Sequence, residues 1–116
     1  MNKTTLAAAL LTLLLVGGQA FAQDKGNAKG GAGSAAKGKE VFESNCSVCH
    51  NSDSTETKVG PGLKGLFKKA ALTNKKKVTD VNVREVINMG GNGMPSYSDM
   101  LTAAEKSDVL AYLKTL

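Results

Sequence analysis

Residues 46–50 read Cys46-Ser47-Val48-Cys49-His50, and the rest of the chain is best understood outward from that stretch. Two thiols two residues apart, followed at once by an imidazole, is the spacing of covalent haem attachment. The thiols can add to the two vinyl groups, and the adjoining ring then reaches the iron from one face. These are the only two cysteines and the only histidine in the 116 residues, so nothing of that kind is left for another site. A zinc site wants four soft or imidazole ligands, and the chain offers only three before turning to carboxylates. A thioredoxin-like redox pair expects a βαβ pattern around it, which the flanking sequence lacks. A disulfide between positions 46 and 49 would close a loop too short to constrain much.

On the N-terminal side, Ser34 is placed to cap a helix that runs through Ala35, Ala36, Glu40 and Val41 towards the motif. Gly38, Phe42, Cys46 and Cys49 then share one face, at spacings of four, four and three. A glycine on that face costs roughly 1 kcal/mol against alanine, which makes sense if another helix crosses closely there. Residues 23–33 are Gly-rich and polar with nothing to bury, the composition of a flexible tether. They lack the preceding strand and the Gly-Lys-Ser/Thr of a phosphate loop. Residues 1–22 carry a positive start at Lys3, an apolar run from Leu6 to Val16 and a small-x-small site at Ala20-Phe21-Ala22. That is the pattern of a cleaved signal peptide, and the run is well short of the ~20 residues a spanning helix needs. The folded domain is expected over 34–116, exported to the periplasm, where haem attachment of this kind takes place.

On the C-terminal side, a polar stretch leads to Val59-Gly60-Pro61-Gly62-Leu63. An iron-bound histidine usually donates its other ring N–H to a carbonyl or carboxylate, and the Pro61 carbonyl is the candidate acceptor from His50. Leu63, Leu66 and Phe67 follow with one turn of apolar helical spacing. Residues 68–77 are basic and include Lys75, Lys76 and Lys77, which read as a solvated loop or as a docking patch for an acidic partner. Thr79 or Asp80 can cap a short helix carrying Val83, Val86 and Ile87 inward and ended by Gly90 and Gly91. In the loop that follows, glycines and Pro95 surround Met94. A thioether is a plausible sixth ligand opposite a histidine, and that pair raises the reduction potential. Met89 and Met100 are the competitors, with Met100 the main substitute. Tyr97 is expected to pack near the haem edge or in the core. Thr102 to Glu105 forms a capping-box pattern, followed by a helix to Leu116 with Val109, Leu110, Leu113 and Leu116 as its buried stripe. Tyr112, at its margin, or a neighbouring leucine is a candidate to fill the space over Gly38.

Composition fits this reading. Cleavage after Ala22 would remove Lys3 and no acidic residue, leaving 14 basic against 10 acidic side chains, a net charge of +4. A mild positive excess favours acidic partners and sets encounter rates more than affinity. With one arginine and no interleaving of aromatic and basic residues, nucleic acid is not an expected partner. Outside the leader the aromatics are Phe42, Phe67, Tyr97 and Tyr112, too few for a robust small core. A buried haem would supply the missing apolar bulk.

Taken together, Cys46-x-x-Cys49-His50, Gly60-Pro61-x-Leu63, Met94-Pro95-x-Tyr97 and Leu110-Ala-Tyr112-Leu113 resemble a small class I cytochrome c, from about Ser34 to Leu116. The resemblance implies an all-α fold of three to five helices around one covalent haem c. It implies that the first and last helices cross at Gly38, Phe42 and Tyr112, that Cys46 and Cys49 form the thioethers, and that His50 and Met94 are the axial ligands. Pro61, Leu63 and Tyr97 would belong to the haem pocket. A one-electron carrier is then expected, either free or as the haem subunit of a larger oxidoreductase. A peroxidase would need a distal acid–base group, yet the only histidine is taken and the only arginine, Arg84, lies on a helix. A gas sensor would need an open or labile sixth position.

Overall fold

The computed structural model describes residues 32–116; the expected leader and most of the Gly-rich tether lie outside them. Among the described residues, three α-helices, α1 (Ala35–Asn45), α2 (Asp80–Met89) and α3 (Ala103–Leu113), and one 3₁₀ turn (Leu66–Lys68) make up the regular structure. The two isolated bridges, Ala71 with Lys77 and Gly91 with Met94, are single pairs inside loops.

Each helix starts where a short polar side chain takes an orphan amide. The Ser34 hydroxyl accepts from Lys37 N, and that of Thr79 accepts from Asn82 N at 3.2 Å. At α3 the Thr102 hydroxyl accepts from Glu105 N while the Glu105 carboxylate accepts from Thr102 N at 2.8 Å, a complete capping box. These backbone and hydroxyl bonds hold the Glu105 carboxyl below its ordinary range. α2 stops at Gly90, and α3 stops at Leu113, three residues short of the expected Leu116, because Thr115 N turns back to Tyr112 O.

The first and last helices cross in backbone contact. A side chain at Gly38 would overlap the Asp108 carbonyl and come within 2.9 Å of Tyr112 Cβ. The space over Gly38 is thus filled chiefly by α3 backbone, where Tyr112 or a leucine side chain was expected. Tyr112 instead lies beside Phe42, ring centroids 5.4 Å apart at 58°, a tilted pairing that aromatic quadrupoles favour. The chain ahead of α1 is held to α3 as well. Ser34 N donates to Asp108 Oδ1 at 2.7 Å, and a side chain at Gly33 would collide with the Ser107 backbone. α2 joins α3 through Arg84, whose Nη2 donates to Ser107 Oγ at 3.2 Å, and through the Lys114–Asp80 ion pair at 2.6 Å.

Phe42, Val109, Leu110 and Leu113 form the buried face of the α1–α3 pair, and Val83, Ile87, Leu66, Tyr97 and Leu101 close the core from the other elements. Lys106 is buried among them, its Nζ donating to Ser98 O at 2.7 Å. Apolar periodicity gave no sign of that lysine.

Candidate functional site

α1 ends at Asn45, with Cys46 as its C-cap. The motif therefore does not continue the helical face through Gly38 and Phe42, as its spacing predicted, but lies on the turns that follow. There Cys49 N and His50 N both return to Cys46 O, at 3.0 and 2.9 Å. This compact turn lets Cys46, Cys49 and His50 all line a cavity of about 270 Å³. Its lining is mostly apolar with a few polar groups, which suits a large apolar ligand.

The segment after the motif forms one wall. Gly60 N and Val59 N donate to Cys49 O, at 2.8 and 3.2 Å, which lays the Gly60–Pro61 stretch against the His50 ring. A side chain at Gly60 would overlap Cε1 and lie 2.8 Å from Nδ1 and 2.9 Å from Nε2, so only glycine fits that stacking. His50 Nδ1 donates to the Pro61 carbonyl at 2.8 Å. A carbonyl can only accept, so the proton sits on Nδ1 and Nε2 keeps its lone pair for a metal. Leu63, half-buried, lines the same wall.

The loop after α2 forms another wall. Met94 is half-buried and lines the cavity, whereas Met89 and Met100 are 73% and 62% exposed. Tyr97, 8% exposed, also lines it. Burial first, and the charges of the two thiols after it, push the Tyr97 phenol up, so it remains a donor; it donates to Asn45 O at 2.8 Å. The structure thus brings Cys46, Cys49, His50, Pro61, Leu63, Met94 and Tyr97 to one cavity. Lys75, Lys76 and Lys77 are exposed and do not line it, and Lys76 is engaged by both carboxylate oxygens of Glu85 at 2.7 Å.

The chemistry of Cys46 speaks against an activated redox pair. No disulfide joins Cys46 to Cys49. Burial, with the Cys49 charge adding to it, pushes the Cys46 thiol up to about 11, opposite to the lowered value that activates a Cys-x-x-Cys redox pair. Among the described residues no three His, Cys, Asp or Glu side chains converge to hold a bare metal ion. Two thiols, one imidazole and one thioether around an apolar cavity are the donor set a haem uses.

Residues 33–113 match the family model described as cytochrome C oxidase, cbb3-type, subunit III. The chain belongs to that cytochrome c family. It is a small class I c-type cytochrome, and its cofactor is covalently bound haem c. Among solved structures, cytochrome c6 from the diatom Phaeodactylum tricornutum is similar with a TM-score of 0.58 and 22% sequence identity, covering 72% of this chain and 93% of that one. At that identity the likeness speaks for the fold, the all-helical class I arrangement. Bound haem c supplies an iron that takes up and releases one electron, so the cytochrome is an electron carrier. Among the described residues no helix is long and apolar enough to cross a membrane.

The glycines flanking Pro61 were expected to bring the backbone close to a flat ligand; at Gly60 the backbone comes instead against the His50 imidazole. Sequence reasoning overlooked two further parts of the site. Lys58, whose Nζ donates to Ser47 O at 2.9 Å, braces the motif turn. The Asn45 carbonyl receives the Tyr97 hydroxyl, and a backbone acceptor leaves no mark in sequence.

Proposed function

We propose that this cytochrome is an exported one-electron carrier in which Cys46 and Cys49 hold the haem as thioethers and His50 and Met94 are its axial ligands. The observation that carries this reading is the cavity itself, whose lining includes Cys46, Cys49, His50 and Met94. Exposure of Met89 and Met100 supports Met94 over either. His50, held by Gly60 and Pro61, and Met94, held in its loop, stay in place in both redox states, so little has to move when an electron passes. Pro61, Leu63 and Tyr97 complete the pocket and keep water from the ring face. The residues described as bordering the cavity include no carboxylate and no guanidinium, and Arg84 is spent on Ser107. That favours a carrier over a peroxidase, which needs a distal acid–base group.

The partners fitted by this surface are acidic redox proteins. Between residues 57 and 79 there are seven lysines and no acidic residue, while the remaining described residues carry nine acidic against five basic side chains. Parts of the same segment line the cavity, so a field that steers an acidic partner points it at the haem. We further propose residues 1–22 as the signal peptide, 23–33 as a tether and the periplasm as the compartment. A second reading follows from the family's own description, an oxidase subunit: the domain would then deliver electrons within a larger oxidoreductase. Co-purification from membranes distinguishes a subunit from a free shuttle.

The test is the visible spectrum of the exported protein, oxidised and reduced, with and without carbon monoxide. A low-spin spectrum unmoved by the gas is expected. A reduced form that binds it readily would displace the carrier reading in favour of a sensor or an enzyme. In parallel, Cys46→Ser with Cys49→Ser should abolish haem staining on a denaturing gel; persistent staining would refute the thioether assignment.

A further inference from the structure

The loop that carries Met94 is fastened mainly to itself and to the end of α2. Gly91 N donates to Met94 O at 2.9 Å and Met94 N to Gly91 O at 3.1 Å; Tyr97 N donates to Ile87 O at 3.0 Å and the Ser96 hydroxyl to Asn88 O at 2.5 Å. Lys106 ties the far end, at Ser98, to α3. These bonds shape the loop without tying it to the turn that bears the cysteines. One side-chain hydrogen bond does that. The Tyr97 hydroxyl, 52 residues away in sequence, donates to Asn45 O at 2.8 Å. Asn45 is the last residue of α1 and immediately precedes Cys46. The final carbonyls of a helix need donors from elsewhere. Around this helix end the next amides are committed otherwise: Cys46 N and Ser47 N to Phe42 O, Cys49 N and His50 N to Cys46 O. Tyr97 therefore supplies the donor that the helix end lacks.

We propose that the Tyr97 hydroxyl is a positioning group: it latches the Met94 loop to the helix end beside Cys46 and so sets how readily the Met94 sulfur yields its side of the cavity to another ligand. The proposal rests on the reading of Met94 as axial ligand. For an outside ligand to take that side, the loop has to swing away, and the Tyr97–Asn45 bond is made only while the loop is closed. It therefore stabilises the closed arrangement alone, and a group that favours one of two arrangements shifts their populations by its own worth. In the closed arrangement the ring packs with or without the hydroxyl, so removing the hydroxyl alone isolates the bond. Losing the net worth of one such bond shifts the balance by roughly three- to tenfold.

The experiment uses the oxidised, haem-loaded protein titrated with imidazole and followed by visible absorption. Tyr97→Phe keeps the ring and removes the donor. It should retain covalent haem and bind imidazole about fivefold more tightly than the parent, while Tyr112→Phe, which removes a phenol hydroxyl that does not line the cavity, should match the parent. Met94→Ala serves as the fully open reference. If Tyr97→Phe binds like the parent while Met94→Ala binds far more tightly, the latch is overturned and the Met94 assignment stands. If Met94→Ala also binds like the parent, the axial assignment falls and takes the latch with it. Loss of haem in Tyr97→Phe would make Tyr97 a residue the core itself requires, and would likewise overturn a latching role.

Discussion

The two walls of the haem cavity are built on different principles. The His50 wall is laid down on the motif by backbone bonds to Cys49 O and by the Pro61 acceptor, and glycine at position 60 lets chain and ring touch. It is also intensely basic. The Met94 wall has no charged residue from Val86 to Ser98, folds back on α2 and reaches the motif side through a phenol. One wall holds His50 by contact that leaves no room, the other holds Met94 by a few bonds that can be broken singly. The first should respond to substitution all at once and the second by degrees.

The largest effect is therefore expected at Gly60→Val. The added carbons have to displace the His50 ring or the backbone, an overpacking that costs about 3 kcal/mol, and the His50–Pro61 bond goes with it. Denaturant unfolding of the haem-loaded protein should show the loss; a variant as stable as the parent would mean the wall is more pliant than its geometry states. Next comes Met94→Ala, which should keep its haem and much of its stability but lower the reduction potential in a redox titration and let carbon monoxide bind. An unchanged potential would move the sixth ligand to Met100. Neutralising Lys68, Lys75 and Lys77 to Gln should leave the potential in place while slowing association with an acidic partner about tenfold at low ionic strength. The difference should vanish at high salt, and rates equal to the parent at every salt concentration would deny the basic segment 57–79 a role in docking.

A change that touches neither wall provides the baseline. Thr102→Ala removes one arm of the α3 capping box and should cost about 1 kcal/mol in thermal or denaturant unfolding, with the potential unaltered. Because the folded state holds the Glu105 carboxyl below its ordinary range, the box stabilises the protein above the unfolded pKa. That contribution disappears as pH falls through the folded one. The gap between parent and variant should narrow as the solution is acidified below about pH 4.5.

Much of this was legible from residue order alone. Ser34, Thr79 and Thr102 announce the three helix starts because a capping side chain must be short, polar and next to the amide it satisfies. That Cys46, Cys49, His50 and Met94 would meet at one cavity was legible because the chain holds only two cysteines, four methionines and one histidine. What stayed hidden depends on backbone, which every residue has. Nothing about Asp108 says that its carbonyl lies over Gly38, and nothing about Asn45 says that its carbonyl awaits Tyr97. The end of α1 at Asn45 was missed because Cys46 continues the apolar spacing although the helix has already stopped. Lys106 was invisible for the opposite reason: a long charged side chain reads as surface, and only the Ser98 carbonyl explains its burial.

The joint between α1 and α3 spans 74 residues from Ser34 to Asp108, so both cavity walls hang within one large loop whose ends are clasped. The entropy of closing such a loop grows only with the logarithm of its length. Adding ten residues to either wall would raise the closure cost by about 0.1 kcal/mol. The clasp tolerates not even a methyl group at Gly38, yet it is nearly indifferent to how much chain it encloses. Loop length around the haem is thus free to vary, by insertion or deletion, while the fold that presents the haem stays the same.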